Sequence, residues 1–301
     1  MGGSGTGMKI VFFGTPDYVL PILKAVHKKF VAGPGKSPIA AVVTQPPKPV
    51  GRKQILAYSP IDKWAHEHKI PIYYSANELL ENPPDGKIGI LASYGEILRK
   101  DVINSFPQGI LVIHPSLLPK YRGASPVPAA IANGDGITGL SIIKMDEKMD
   151  HGPIVSQFKE EILPTDTAEA LRGRLFERSA GLLIETLTPY IQGKIKPKKQ
   201  NEGKATFTKI LKREDGFIDM DTKSPEEAER FIRAMHSWPG AWTLIRLKVG
   251  EEKLTTKRLK LLKAHLDQGK LILDEVQLEG KGPVSWKQFK EGYKEAAFVT
   301  A

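Results

Sequence analysis

The sequence predicts a chain in two parts: an α/β domain on an open, mostly parallel sheet, then a small β-barrel domain. Three observations predict it. Short apolar runs rich in β-branched residues recur between helical stretches as far as Ile191. Such runs suit strands covered on both faces. A polar, strongly basic segment follows, Gln192 to Thr208, QGKIKPKKQNEGKATFT, with the composition of a linker. Beyond it come short strand-like segments separated by turns, as in a small barrel. The basic and aromatic content there suits an OB-like barrel.

In order, Lys9–Phe13 reads as a strand. Gly14-Thr15-Pro16-Asp17 turns the chain into a helix running to Phe30, with Pro16 and Asp17 as helix-start residues. No GxGxxG is present, so a dinucleotide fingerprint is not supported. Ile39–Thr44 is a second strand. The stretch from Gln45 to Ser59, QPPKPVGRKQILAYS, has no helical period and reads as a mobile surface loop. Lys48, Arg52 and Lys53 stand close together in it. They are either the usual scatter of surface charge or a grip on a phosphate backbone, with Arg52 as a fork-shaped donor.

Ile61–His68 reads as a helix and Lys87–Ser93 as a strand with its exit at Tyr94-Gly95. Pro126–Asn133 is a helix closed by Gly134, and Ile137–Met145 and Ile154–Phe158 are strands. The charged loop Asp146–Gly152 lies between them. Ala168–Ile191 is a long amphipathic helix with Leu171, Leu175, Leu182 and Leu183 on its apolar side. After the linker, a helix near Pro225–Met235 precedes a strand-turn signal at WPGAWTLIRLKVG. Short strands follow at Leu259–Ala264, Lys270–Leu273 and Glu275–Leu278. The domains expected are thus 8–191, a linker at 192–208, and 209–301. The leader 1–7, MGGSGTG, resembles an appended flexible tag, and Met8 reads as the natural start.

Composition narrows the function. There are no cysteines, which excludes disulfides and thiolate metal ligands and fits the cytoplasm. No apolar run approaches the roughly 20 residues of a membrane span. No HExxH or similar pattern assigns a metal. The net charge of +10 points to a polyanionic partner, although many basic proteins have none.

The chemical centre is Gly109–Pro126, GILVIHPSLLPKYRGASP. It starts as the buried strand Ile110–Ile113 and ends at His114-Pro115, where proline cannot extend the ladder. Side chains alternate, so Val112 and His114 share a face. An imidazole at the carboxyl end of such a strand sits where open α/β sheets bind ligands.

The string HPSLLPKYRGASP resembles the signature of the formyltransferases that use 10-formyltetrahydrofolate. The resemblance implies a Rossmann-like formyltransferase domain with a folate groove lined by Ser116, Leu117, Leu118 and Pro119. Tyr94 and Gly95 resemble a further wall of that groove. Arg122, in the Tyr121-Arg122-Gly123 turn, is as suited to a structural ion pair as to a ligand contact. Formyl transfer to an amine passes through a tetrahedral oxyanion and moves a proton between nitrogens. The resemblance gives His114 as proton shuttle and donor, and Asp150, in the loop MDEKMDHG, as the carboxylate that supports it. It departs from the family at one place: the usual Asn, two residues before the His, is Val112. Val112 has no donor for the oxyanion.

Within the superfamily, TQPPKPVGR and the C-terminal stretch at Trp238-Pro239…Trp242 resemble the tRNA-formylating branch. That branch implies initiator methionyl-tRNA as acceptor, Arg52, Lys48 and Lys53 as tRNA contacts, and a soluble monomer with no membrane partner. The alternatives are a formyltransferase acting on a sugar-nucleotide amine, and a homologue that binds folate or tRNA without turnover.

Overall fold

The structure, a computed structural model, describes residues 8–33, 36–51, 54–249 and 253–299. The leader 1–7 lies outside them. The chain divides into two compact units: residues 1–122, 139–160 and 172–207, and residues 123–138, 161–171 and 208–301. The second unit therefore takes two segments, 123–138 and 161–171, from the stretch expected to form the N-terminal domain.

The first unit is built on a seven-stranded sheet. Its strands are β1 (Ile10–Gly14), β2 (Ile39–Val43), β5 (Ile72–Tyr73), β6 (Ile88–Ala92), β7 (Ile110–His114), β9 (Ile137–Lys144) and β10 (Ile154–Glu161), in the order β10-β9-β7-β6-β1-β2-β5. β1 pairs in parallel with both β2 and β6, β6 with β7, and β2 with β5; β7 pairs antiparallel with β9. Ile10, Val11, Phe12 and Phe13 are completely buried, as a central parallel strand requires. Each such side chain contributes about 1.5–3 kcal/mol by leaving water. One core cluster joins Phe13, Tyr94, Val102, Phe106 and Ile110, with Phe13 edge-on to both Tyr94 and Phe106.

Helices α1 (Leu20–Phe30), α2 (Pro60–Glu67), α3 (Glu78–Glu81) and α4 (Lys100–Asn104) connect these strands. The long helix α6 (Ala168–Ile191) follows β10. α2 is capped by Ser59, whose hydroxyl accepts from Asp62 N. The chain leaves β1 toward β2 on one side and later places β6 on the other. That makes the carboxyl ends of β1 and β6 a topological switch point, where open sheets bind ligands. Thr15 connects these exits: it accepts from Gln45 N at 3.2 Å and donates to Tyr94 O at 3.5 Å.

Two expectations for this unit are corrected. The segment 45–59 is not all loop: β3 (Lys48–Val50) and β4 (Ile55–Ala57) pair as an antiparallel hairpin, Lys48 opposite Ala57. All six residues are exposed, so no burial pattern marked them as strands. Nor is 192–208 a free connector. Lys198 exchanges both backbone hydrogen bonds with Ile154, at 2.8 and 2.7 Å, and Arg122 N donates to Thr206 O at 2.8 Å. The two-residue strands β8 (Arg122–Gly123) and β11 (Phe207–Thr208) pair with each other.

The second unit holds α5 (Pro126–Ala132), α7 (Pro225–Ala234) and a five-stranded antiparallel sheet. Its strands are β12 (Ala241–Val249), β13 (Lys253–Asp267), β14 (Lys270–Leu278), β15 (Pro283–Ser285) and β16 (Ala297–Phe298), ordered β15-β14-β13-β12-β16, with α8 (Trp286–Gly292) after β15. Ser224 and Glu227 close a capping box at the start of α7. The short segments expected at 259–278 are two long strands. The register leaves Leu262 and Asp274 without direct partners. These bulges interrupt the alternation and made one hairpin read as three pieces.

Candidate active site

His114 is the last residue of β7 and is only 5% exposed. Its Nε2 lies 2.9 Å from Tyr121 O. A carbonyl only accepts, so Nε2 carries a hydrogen. Nδ1 lies 3.5 Å from Asp150 Oδ2, and that pair becomes ionic when Nδ1 is protonated as well. The sequence-predicted His114 and Asp150 are thus brought together. Asp150 sits in the turn between β9 and β10 with φ of +48°, a left-handed conformation uncommon for residues other than glycine. Gly152 allows the turn to close: a Cβ there would overlap the carbonyl oxygen of Lys144.

Val112 points to the same face as His114 and lies among Leu118, Ile143, Leu91, Met145 and Ile154.

The predicted folate residues divide into two groups. Ser116 is fully buried, its hydroxyl donating to Lys120 O at 2.6 Å. Leu118 is buried beside Val112, and its N–H donates to Ser141 Oγ. These two shape the turn. Leu117 and Pro119 are half-buried and remain available to a ligand. Tyr94 is 1% exposed, and its hydroxyl donates to Glu96 at 3.0 Å. Burial and Glu96 raise its pKa well above the ordinary tyrosine value, keeping it neutral. Its ring belongs to the core. Gly95, at φ +93° with open space around it, exposes backbone beside that ring. Gly95, exposed at the carboxyl end of β6, offers backbone hydrogen-bonding groups of the kind a flat heterocycle can pair with.

Sequence reasoning missed the shell behind Asp150. His151 Nδ1 lies 2.6 Å from Asp146 Oδ2, and its Nε2 3.4 Å from Glu202 Oε1. Arg122, 2% exposed, donates to both oxygens of Glu202, at 2.7 and 2.9 Å. The structural reading of Arg122 therefore holds. Glu202 is pushed below the ordinary carboxylate value by its hydrogen bonds to Arg122. Gln200 links Arg122 to the Asp150 turn. Nothing local marked Gln200 or Glu202, which lie in a stretch with linker composition.

Comparison with known proteins assigns this chain to a family. Residues 8–187 match the Formyl transferase family and residues 210–271 the Formyl transferase C-terminal domain. The methionyl-tRNA formyltransferase of Roseiflexus castenholzii is 36% identical over 95% of this chain and 96% of its own length. That of Methylacidiphilum infernorum is 37% identical over 95% of each. The chain belongs to the methionyl-tRNA formyltransferase family.

The fold alone does not separate the branches. A methionyl-tRNA formyltransferase structure from Clostridium thermocellum is 20% identical, with a TM-score of 0.59 over 91% of this chain and all of that one. An N-formyltransferase of Helicobacter canadensis, solved with folinic acid and dTDP-3-aminofucose, is 16% identical with a TM-score of 0.63, over 92% of this chain and 98% of that one. Val112, expected from the sequence to stand where an asparagine donor would, is buried on β7 two residues before His114. Of the three basic residues expected to grip tRNA, Lys48 is exposed on β3, whereas Arg52 and Lys53 lie outside the described residues.

Proposed function

We propose that this protein transfers the formyl group of 10-formyltetrahydrofolate to the α-amine of methionyl-initiator tRNA, for translation initiation. The observation that carries the reading is the pairing of buried His114, at the end of β7, with half-buried Asp150, in a chain whose near-full-length relatives are named methionyl-tRNA formyltransferases.

The folate cosubstrate supplies an activated formyl carbon. A new N–C bond forms to the methionine amine, the bond to the folate nitrogen breaks, and the proton lost by the amine is returned to that nitrogen. His114 handles the proton, and its Nε2–H, now on Tyr121 O, is the hydrogen available to the developing oxyanion. Asp150 supports the charged ring. Leu117, Pro119 and the Gly95 backbone hold the donor, with Ser116, Leu118 and Tyr94 shaping the wall. No metal takes part. Val112 removes one oxyanion donor, which typically slows such a step by about 10²- to 10³-fold.

Residues 8–191 carry catalysis in this reading. Arg52, Lys48 and Lys53, the segment 192–208 and the domain 209–301 carry tRNA. The protein acts as a cytoplasmic monomer. Presenting charged initiator tRNA and an amino-sugar nucleotide separately, each with labelled formyl donor, tests the acceptor. Label on the tRNA alone is expected; label on the nucleotide alone would move the protein to the sugar branch. Donor or tRNA binding without any transfer would make it a binding homologue.

A further inference from the structure

We propose that Gln200 is the positioning residue for Asp150, holding the turn that carries this carboxylate at its distance from His114. The catalytic consequence rests on the formyl-transfer reading; the structural part does not.

The Gln200 amide uses all its hydrogen-bonding capacity. Nε2 donates to Asp150 O and to Gly152 O, each at 2.8 Å. Oε1 accepts from Arg122 Nε at 3.1 Å and Nη2 at 2.8 Å. Only this orientation of the amide works. Reversed, its NH₂ would face a guanidinium that cannot accept, and its oxygen would face two carbonyls that cannot donate. Arg122 is itself fixed by both oxygens of Glu202, the bidentate geometry that best orients a guanidinium.

These bonds close a circuit. The carbonyl of Tyr121 holds His114 Nε2. The next residue, Arg122, holds Gln200, and Gln200 holds the backbone of Asp150, whose carboxylate faces His114 Nδ1. One turn of chain, Tyr121-Arg122, therefore references both members of the pair. Gln200 bonds the Asp150 turn on both sides of His151, at a backbone with φ of +48°, a left-handed conformation that aspartate tolerates but that is uncommon outside glycine. Gln200 is placed to act by the Lys198–Ile154 bridge, which ties its segment to the start of β10. A misplacement of about 1 Å at a reacting group costs about 10²-fold in rate.

The test compares Gln200→Ala and Gln200→Glu with Glu185→Ala, an exposed position on α6. Gln200→Glu keeps an acceptor for Arg122 and loses donation to the turn. The first readout is hydrogen exchange of the peptide 146–153. Exchange should accelerate by about tenfold or more in both Gln200 variants and stay unchanged in Glu185→Ala. The second is steady-state kinetics, on the chain and on its Val112→Asn form. kcat should fall by about tenfold or more, with KM for the formyl donor held within about twofold. Unchanged exchange in both variants overturns the clamp, and so does a rise in KM at constant kcat. If no form of the protein transfers formyl while exchange still accelerates, the clamp stands and the transfer reading falls.

Discussion

Nδ1 of His114 lies 3.5 Å from Oδ2 of Asp150, although neither residue belongs to the other's element. His114 ends a strand, and Asp150 sits in the turn joining two later ones. Antiparallel pairing of β7 with β9, His114 opposite Ser141, brings them into reach. If this pair shuttles the proton, His114→Ala and Asp150→Asn should each lower kcat by about 10²- to 10⁴-fold. The double variant should be little worse than the weaker single one, because the residues act as a unit. Single-turnover rates check this; additive losses would place the two in separate roles.

Gly152→Ala probes the turn that carries Asp150. The new methyl meets the Lys144 carbonyl, a backbone atom that cannot swing aside. The variant should lose about 1–3 kcal/mol by urea unfolding, and activity should fall with it. Wild-type stability would show that the turn has room the geometry denies.

Acid stability tests the Arg122–Glu202 link. Arg122 holds the Glu202 carboxyl below its ordinary value of 4.5. Folding therefore favours the ionised form. The stabilisation is present above pH 4.5 and is lost as pH falls through the lowered folded-state value. Glu202→Gln should lose less stability than the parent on acidification through that window, measured by urea midpoints. Parallel curves would mean the link contributes nothing.

The basic residues Lys48, Arg52 and Lys53 predict a salt signature. Affinity for tRNA should fall steeply with salt, since phosphate contacts release counterions. Arg52→Ala and Lys48→Ala should each weaken tRNA binding, reduce the salt slope by about one unit and leave folate binding alone. Filter binding across a salt series decides it; equal loss of folate binding would mean the basic loop lines the active site.

Much of this was legible in the sequence because it rests on local rules. β1, β2, β6 and β7 announced themselves as short apolar runs, and the long helix 168–191 has the observed bounds. His114 and Asp150 were legible from a motif. What stayed hidden has non-local causes. Gln200 is far from Asp150 in sequence and sits among lysines and glycine, so only the fold reveals its role. The strands Lys48–Val50 and Ile55–Ala57 are exposed on both faces and so show no strand period. That the Tyr94 ring packs edge-on against Phe13 in the core, with only Gly95 beside it exposed, was not legible from the local sequence.

Val112 concentrates the central claim in one side chain. It is 7% exposed among apolar neighbours, so an asparagine there gives up hydrocarbon packing and buries an amide. Without a substrate oxygen to meet, that amide should cost about 1–3 kcal/mol. The most direct measurement is transfer of labelled formyl to methionyl-initiator tRNA by the chain and by its Val112→Asn variant, side by side. A variant less stable but faster by about 10²-fold or more is the predicted result. A chain already fully active, with nothing added by asparagine, would contradict the account of Val112. Transfer by neither would contradict the assigned reaction.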